Sequence, residues 1–210
     1  MSSGNRQRVA WNVGGLVWLG GAAVGLGWMA NYANRPGAAA AAPVHWPAAT
    51  TIQRDTTRPT LVMLAHPQCD CTRASLAELA ELIARARHQP KTFVVFIHPD
   101  GVGDDWEKTA LWRSAKAIPD VSVVRDEDGR EARRFGGETS GQTLLYDSRG
   151  RLLFSGGATI ARGHLGDNPG VAAMLDLLEG EIPPRTSTPV FGCSLFGPAD
   201  AVRPQQTVQR

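Results

Sequence analysis

Two rhythms of apolar positions run along this chain, and the places where one gives way to the other mark its elements. Val9 to Ala30 is a 22-residue stretch without a charge. As a helix it covers roughly 33 Å, enough for the hydrocarbon layer of a bilayer. Asn34 to about Arg58 is rich in Ala, Pro and Thr, with little aliphatic content beyond Val44 and Ile52, and reads as a tether. Leu61 to Ala65 is a short apolar run suited to a buried strand, and Leu76, Leu79, Leu82, Ile83 and Ala86 then recur at helical spacing. Thr92 to Ile97 predicts a central strand. A helix over Trp106 to Ile118 follows, then a short strand over Val121 to Val124 and a short helix over Glu127 to Phe135 closed by Gly136-Gly137. Gln142 to Asp147 and Arg151 to Ser155 flank Ser148-Arg149-Gly150 in the pattern of a β-hairpin. The last helix runs from about Pro169 to Glu179, with proline in its first turn.

This βαβαβ order, followed by a short helix, a hairpin and a helix, predicts an α/β sandwich with a mostly parallel sheet and one antiparallel strand. The expected organisation is a cytoplasmic N-terminus at 1–8, a transmembrane anchor at 9–30, a linker at 31–57, a folded domain at 58–182 and a C-terminal tail at 183–210 that carries Cys193. Arg6 and Arg8 precede the apolar stretch, Trp11 and Trp28 lie near its ends, and the positive-inside rule places everything after residue 31 outside the cytoplasm. An uncleaved anchor is preferred to a cleaved signal peptide, because signal h-regions are only about 7 to 15 residues long.

Charge narrows the function classes. The chain carries a formal net charge of +2, and from Arg58 onward 18 basic residues face 19 acidic ones. A near-neutral domain has no electrostatic footprint for nucleic acid. Three cysteines in an exported chain are an odd number, which points to reactive thiols or an intermolecular partner rather than a closed disulfide framework.

Two of the three lie in Ala65-His66-Pro67-Gln68-Cys69-Asp70-Cys71-Thr72-Arg73, at the seam between the first predicted strand and helix. Unpaired amides at a helix N-terminus favour a thiolate. Asp70 opposes that effect, and Arg73 is positioned to counter Asp70. Cysteines two apart point in largely opposed directions in regular structure, so a Cys69–Cys71 bridge needs a sharp turn. The alternative is Cys193, in the aromatic segment Val190 to Phe196. The residues from Glu181 to Gly192 can span roughly 40 Å extended, enough to return from the end of the last helix. Arg162 and His164 sit in the long polar loop 156–168, a kind of loop that often serves a site: Arg162 as a partner for a thiolate, His164 as a base or ligand. Cys69, Cys71 and His164 also make a soft set suited to copper or zinc. His66 is expected to cap or pack at the strand end, and Thr139 and Ser140 to form a turn.

Strand, cysteine motif at a helix start, crossover, and then Thr143-Leu144-Leu145-Tyr146-Asp147-Ser148-Arg149-Gly150-Arg151-Leu152-Leu153-Phe154-Ser155-Gly156-Gly157 resemble the thioredoxin-like superfamily. The likeness is to its exported branch of TlpA-type thioredoxins, Sco proteins and peroxiredoxin-like domains, and covers about residues 58 to 182. His66-Pro67-x-Cys69-x-Cys71-Thr72-Arg73-Ala74-Ser75-Leu76, Phe135-Gly136 to Gly141, Arg162-Gly163-His164 and Phe191-Gly192-Cys193 resemble small bacterial membrane-anchored proteins labelled RedB. The resemblance implies a thioredoxin-like sandwich with a mixed central sheet after one transmembrane helix, in a single-pass protein of a bacterial inner membrane facing the periplasm or cell exterior. It implies thiol–disulfide oxidoreductase chemistry at Cys69, Cys71 and Cys193, assisted by Arg73 and His164. Its clients would be protein thiols or disulfides, or a peroxide, and no cofactor is needed. A Sco-like, copper-binding metallochaperone is the alternative. Two departures stand out: the motif is Cys-x-Cys rather than Cys-x-x-Cys, and Gly141 falls where thioredoxins place a cis-proline.

Overall fold

The structure, a computed structural model, describes residues 3–38 and 41–197, with side chains described from residue 11 onward. It divides into two units, Met1–Arg35 and Pro36–Arg210. The first is the helix α1, Ser3–Ala33. Within it Trp11–Ala33 is long and apolar enough to cross a membrane, and none of that apolar stretch is buried against protein.

The second unit is built on five strands: β1 (Thr60–Ala65), β2 (Lys91–His98), β3 (Val121–Glu127), β4 (Gln142–Tyr146) and β5 (Leu152–Gly157). Between and after them run α2 (Asp70–Arg85), α3 (Ala110–Lys116), α4 (Arg130–Arg134) and α5 (Pro169–Leu178). The sheet order is β3-β2-β1-β4-β5. β1 pairs with β2 and β2 with β3 in parallel, whereas β4 is antiparallel to both β1 and β5. The sheet is therefore mixed, as expected. The helix anticipated over Trp106 to Ile118 begins only at Ala110, because residues 103–109 form turns in which the buried Glu107 pairs with His98 at 2.7 Å.

β1 is buried at every position because both faces of the sheet are covered. Leu61, Met63 and Ala65 point to the face packed by α2, α3 and α5, against Leu79, Leu82, Phe96 and Met174. Val62 and Leu64 point to the other face, with Val95, Ile97, Phe135, Leu144 and Tyr146. That second face has only the five-residue α4 to shield it. The remaining cover comes from outside the expected 58–182 domain. Ile52 and Trp46 arrive from the N-terminal side and Leu195 and Phe196 from the C-terminal side.

Much of the segment read as a tether is thus docked: among its described residues, the Gly37 amide donates to the Val190 carbonyl at 2.8 Å and 41–57 pack on the sheet. Trp46 meets the rings of Phe135 and Tyr146 edge-on, each at 5.1 Å. The Tyr146 hydroxyl donates to the Pro43 carbonyl at 3.0 Å, and the Glu131 carboxylate accepts from the Thr51 amide and from the hydroxyls of Thr50 and Thr51. The tail is docked as well: the Ser155 amide donates to Thr186, the Thr188 hydroxyl to Gly157, and the Leu195 amide to Glu138. An apolar sheet face left open would expose a patch that soluble domains rarely tolerate, and these two segments close it. The part of the tail beyond residue 197 lies outside the described residues.

Trp46→Ala is expected to destabilise the chain by about 2 kcal/mol, the lower range for a large aromatic that is half-buried. Denaturant unfolding of the detergent-solubilised protein measures it. A loss under about 0.5 kcal/mol, the scale of an ordinary surface change, would mean that residues 42–57 do not form part of the core.

Candidate functional site

β1 ends at Ala65 in the middle of the sheet, and the chain turns through His66-Pro67-Gln68 into α2. The Cys69 amide closes that turn by donating to the His66 carbonyl at 3.2 Å. Cys69 occupies the N-cap of α2 in extended conformation, so its sulfur lies beside the free amides of the first turn. Cys71 stands two residues further along the helix. Cys193 comes from the opposite end of the sequence, on the strap that covers the second sheet face.

The three sulfurs lie within 4.8 Å of one another. Cys69 Sγ and Cys193 Sγ approach to 2.8 Å although 124 residues separate them. Cys69 is 1% exposed, whereas Cys71 and Cys193 are half-buried.

One residue fixes both approaches. The Ser140 amide donates to the Cys193 carbonyl at 2.9 Å. Its hydroxyl accepts from the His66 amide at 2.9 Å and lies 2.8 Å from the Thr72 hydroxyl. Ser140 is itself buried. The Thr139–Ser194 bridge extends the same contact by one residue. Gly192 is pressed against this segment so closely that a Cβ there would come within 2.0 Å of the Ser140 carbonyl. No side chain can replace that hydrogen.

The sulfurs do not share charge equally. Burial works against ionisation of Cys69. Hydrogen bonds from the Cys193 thiol and backbone and from the Thr72 amide and hydroxyl outweigh it, and hold the Cys69 thiol below its ordinary range. Cys71 is pushed up by burial and by the negative charge of Cys69, with Arg162 opposing the shift. Cys193 is pushed up to about 12, first by burial and then by its hydrogen bond and proximity to Cys69. Of the three sulfurs, the least exposed is thus the one whose thiolate is favoured, with two less acidic thiols around it.

The cation of the site is Arg162. Its guanidinium donates to the Gly192 carbonyl and favours the thiolate forms of Cys71 and Cys193. The loop that carries it is tied to α2 by Glu78, a buried carboxylate that accepts from the Gly166 amide at 2.7 Å and from Asn168 Nδ2 at 2.9 Å. Asn168 in turn caps α5 through the Val171 amide at 2.8 Å.

No protein-family model and no curated protein matches the chain. Solved structures do. The chain is similar to a hypothetical protein of Sinorhizobium meliloti 1021, with 19% identity over 77% of this chain and 97% of that one, at a TM-score of 0.55. It is similar to an uncharacterized conserved protein from Geobacillus kaustophilus, with 16% identity over 79% and 94% of the two chains, at a TM-score of 0.52. A further match is the exposed lipoprotein thioredoxin Etrx1 of Streptococcus pneumoniae, at 18% identity, 60% and 86% coverage and a TM-score of 0.42. The strand order with β1 central, the antiparallel β4–β5 pair and the cysteine at the start of the helix after β1 decide the fold. It is thioredoxin-like.

On this thioredoxin-like frame the expected site residues separate into two groups. Cys69, Cys71 and Cys193 converge. Arg73 does not join them: it is exposed and lines a shallow groove with Leu76, Ala77, Leu111 and Ile118, so Arg162 rather than Arg73 supplies the positive charge. His164 is exposed on the loop, its amide bonded to the Ala161 carbonyl, and the cluster of candidate ligand atoms consists of the three sulfurs without it. His66 caps its own turn by accepting the Gln68 amide at Nδ1, 3.1 Å. Ser140 and Thr72 are the residues that sequence reasoning undervalued. A turn-forming serine and a threonine one residue past a cysteine carry no pattern of their own, and only the pairing of distant segments shows their part.

The thiolate absorbance of the reduced chain should rise in two stages with pH. One thiolate is expected to form below the ordinary cysteine range of about 8.5, and the other two sulfurs to stay protonated beyond it. Thr72→Val removes a hydroxyl that favours the thiolate, and so should move the first stage upward. Three thiols titrating together near the ordinary range would contradict this assignment.

Proposed function

We propose that the chain is a membrane-anchored, exported thiol–disulfide oxidoreductase in which Cys69 of the Cys69-x-Cys71 motif and Cys193 form the redox pair. The observation that carries this reading is the 2.8 Å approach of Cys69 Sγ to Cys193 Sγ across 124 residues of sequence. Thiol–disulfide exchange needs a thiolate and a second sulfur within bonding reach, and the cluster supplies both. Its substrates are thiols or disulfides of client proteins, with a peroxide as the small-molecule counterpart. The apolar helix Trp11–Ala33 supports a single-pass anchor in a bacterial inner membrane, with the thioredoxin-like domain on the periplasmic or outer side.

Three soft sulfurs within 4.8 Å also favour one second reading, a copper-binding site. Its ligands would be Cys69, Cys71 and Cys193, in place of the set with His164. Cu(I) is held by thiolates, so binding would release protons from Cys71 and Cys193.

The full-length protein, purified in detergent without reductant and trapped by alkylation, separates the two readings by mass spectrometry. The oxidoreductase is expected to lose two hydrogens reversibly in a glutathione redox buffer, with the bond mapped to Cys69 and Cys193. A chain that stays fully reduced in oxidised glutathione while retaining one copper per protein would reject the redox reading in favour of the metal.

A further inference from the structure

The redox pair has an inside and an outside. Cys69 is 1% exposed, enclosed by the α2 start, the 138–141 segment and the strap itself. Cys193 is half-buried and followed by the exposed Ser194. A client sulfur must approach along the axis of the bond that it breaks, from the side opposite the leaving sulfur. Of these two residues, Cys193 is the one with surface left for that approach.

We propose that Cys193, on the C-terminal strap, is the sulfur that exchanges with the client, and that Cys69 at the helix start is the interior partner that leaves and resolves. This deepens the oxidoreductase reading and rests on it. A client thiolate attacks Cys193 Sγ. The Cys69–Cys193 bond breaks, and its electron pair departs on Cys69, which becomes the thiolate. The client's second thiolate then attacks the client sulfur joined to Cys193. That bond breaks and Cys193 departs with the electron pair and takes up a proton. The client has lost two electrons to a new disulfide, and the chain has gained them as a Cys69 thiolate and a Cys193 thiol. Run backward, the steps reduce a client disulfide: the Cys193 proton passes to the Cys69 thiolate as Cys193 attacks one client sulfur and expels the other as a thiolate, and then passes from Cys69 to that client thiolate as Cys69 attacks Cys193 and expels the second client sulfur.

The surroundings of each sulfur fit its part. Exchange is faster when the departing sulfur is the more acidic one, and the Thr72 hydroxyl and amide beside Cys69 favour its negative charge. In the second step Cys193 is the group that departs, and Arg162, which donates to the adjacent Gly192 carbonyl, favours its negative charge. In the reduced chain the Cys193 thiol lies 2.8 Å from the sulfur that takes its proton. The strap also stays in place when the bond is broken, because the Ser140, Glu138 and Arg162 contacts hold it independently of the sulfurs.

The test reads which sulfur carries the adduct. Full-length protein with Cys71→Ser, which prevents shuffling to the third thiol, is oxidised with diamide and mixed with reduced glutathione. The reaction is quenched with acid at short times, free thiols are alkylated, and the peptides are mapped. Glutathione is expected on Cys193 with Cys69 alkylated, in at least about tenfold excess over the reverse, the preference that a barrier difference of about 1.4 kcal/mol gives. The wild-type chain, quenched at the earliest time point, should give the same answer. Glutathione on Cys69 with Cys193 alkylated would overturn the assignment and leave the oxidoreductase reading standing. Failure to form a Cys69–Cys193 bond under diamide would overturn both.

Discussion

Ser140 is the point on which the site depends. Its amide and hydroxyl meet three atoms from three other segments of chain: the amide of His66 after β1, the hydroxyl of Thr72 in the first turn of α2, and the carbonyl of Cys193 on the strap. The directions are mutually consistent. The His66 amide can only donate, so the Ser140 hydroxyl is free to donate onward to Thr72, whose own proton is left for the His66 carbonyl or the Cys69 sulfur. Buried as it is, this small network is strengthened by the low local dielectric, and it would be costly to leave half made. Through it the position of Cys193 relative to Cys69 becomes a property of the backbone rather than of a flexible tail.

That arrangement has a thermodynamic consequence. A thiol on a free tail of a dozen residues pays the loop-closure entropy each time it meets its partner, whereas a thiol on a docked strap has already been ordered by folding. The same folding free energy that covers Val62, Leu64 and Leu144 with Leu195 and Phe196 sets the two sulfurs side by side. Stability of the second sheet face and the juxtaposition of the two sulfurs are therefore linked. A substitution at Phe196 or Gly129, which are in contact, acts on the sulfurs without touching them.

Much of this was legible in the sequence. The order of strands and helices, the hairpin at Ser148-Arg149-Gly150 and the helix begun by Pro169 all follow from periodicity and turn chemistry, and Cys69 falls at the helix start where the apolar run gives way to helical spacing. Arg162 was readable as a thiolate partner because a long polar loop was due at that edge. The segment read as a linker was judged by composition, and its described part at 41–57 is docked; for the tail, the aromatic run Val190 to Phe196 was the readable sign of a return. A Pro- and Thr-rich stretch with few aliphatics looks like a spacer, yet here a few apolar residues, Ile52 and Trp46 with Leu195 and Phe196, suffice to help seal a face. The clue was present in β1 and β2. Both are apolar on both faces, while the one helix predicted between them can cover one face only. Arg73 was placed beside the sulfurs by its proximity in sequence, but two residues along a helix from Cys71 turns a side chain to the opposite side.

Gly141 shows how one departure from the familiar pattern makes the rest possible. Its φ is +91°, a conformation that side chains rarely adopt, and a Cβ at this position would meet Ser75 Oγ at 2.7 Å. Its amide donates to the Leu64 carbonyl at 2.8 Å, which a proline, having no N–H, cannot do. The loop before β4 is thus anchored to the end of β1 by a hydrogen bond instead of being stiffened by a ring. Anchored in this way, the Ser140 amide on one side of the loop is directed at the strap, and its hydroxyl on the other at the start of α2. A glycine where the resemblance led one to expect proline is, on this reading, not a lost feature of a dithiol site. It is the turn that lets a third segment of chain, carrying Cys193, take its place beside Cys69.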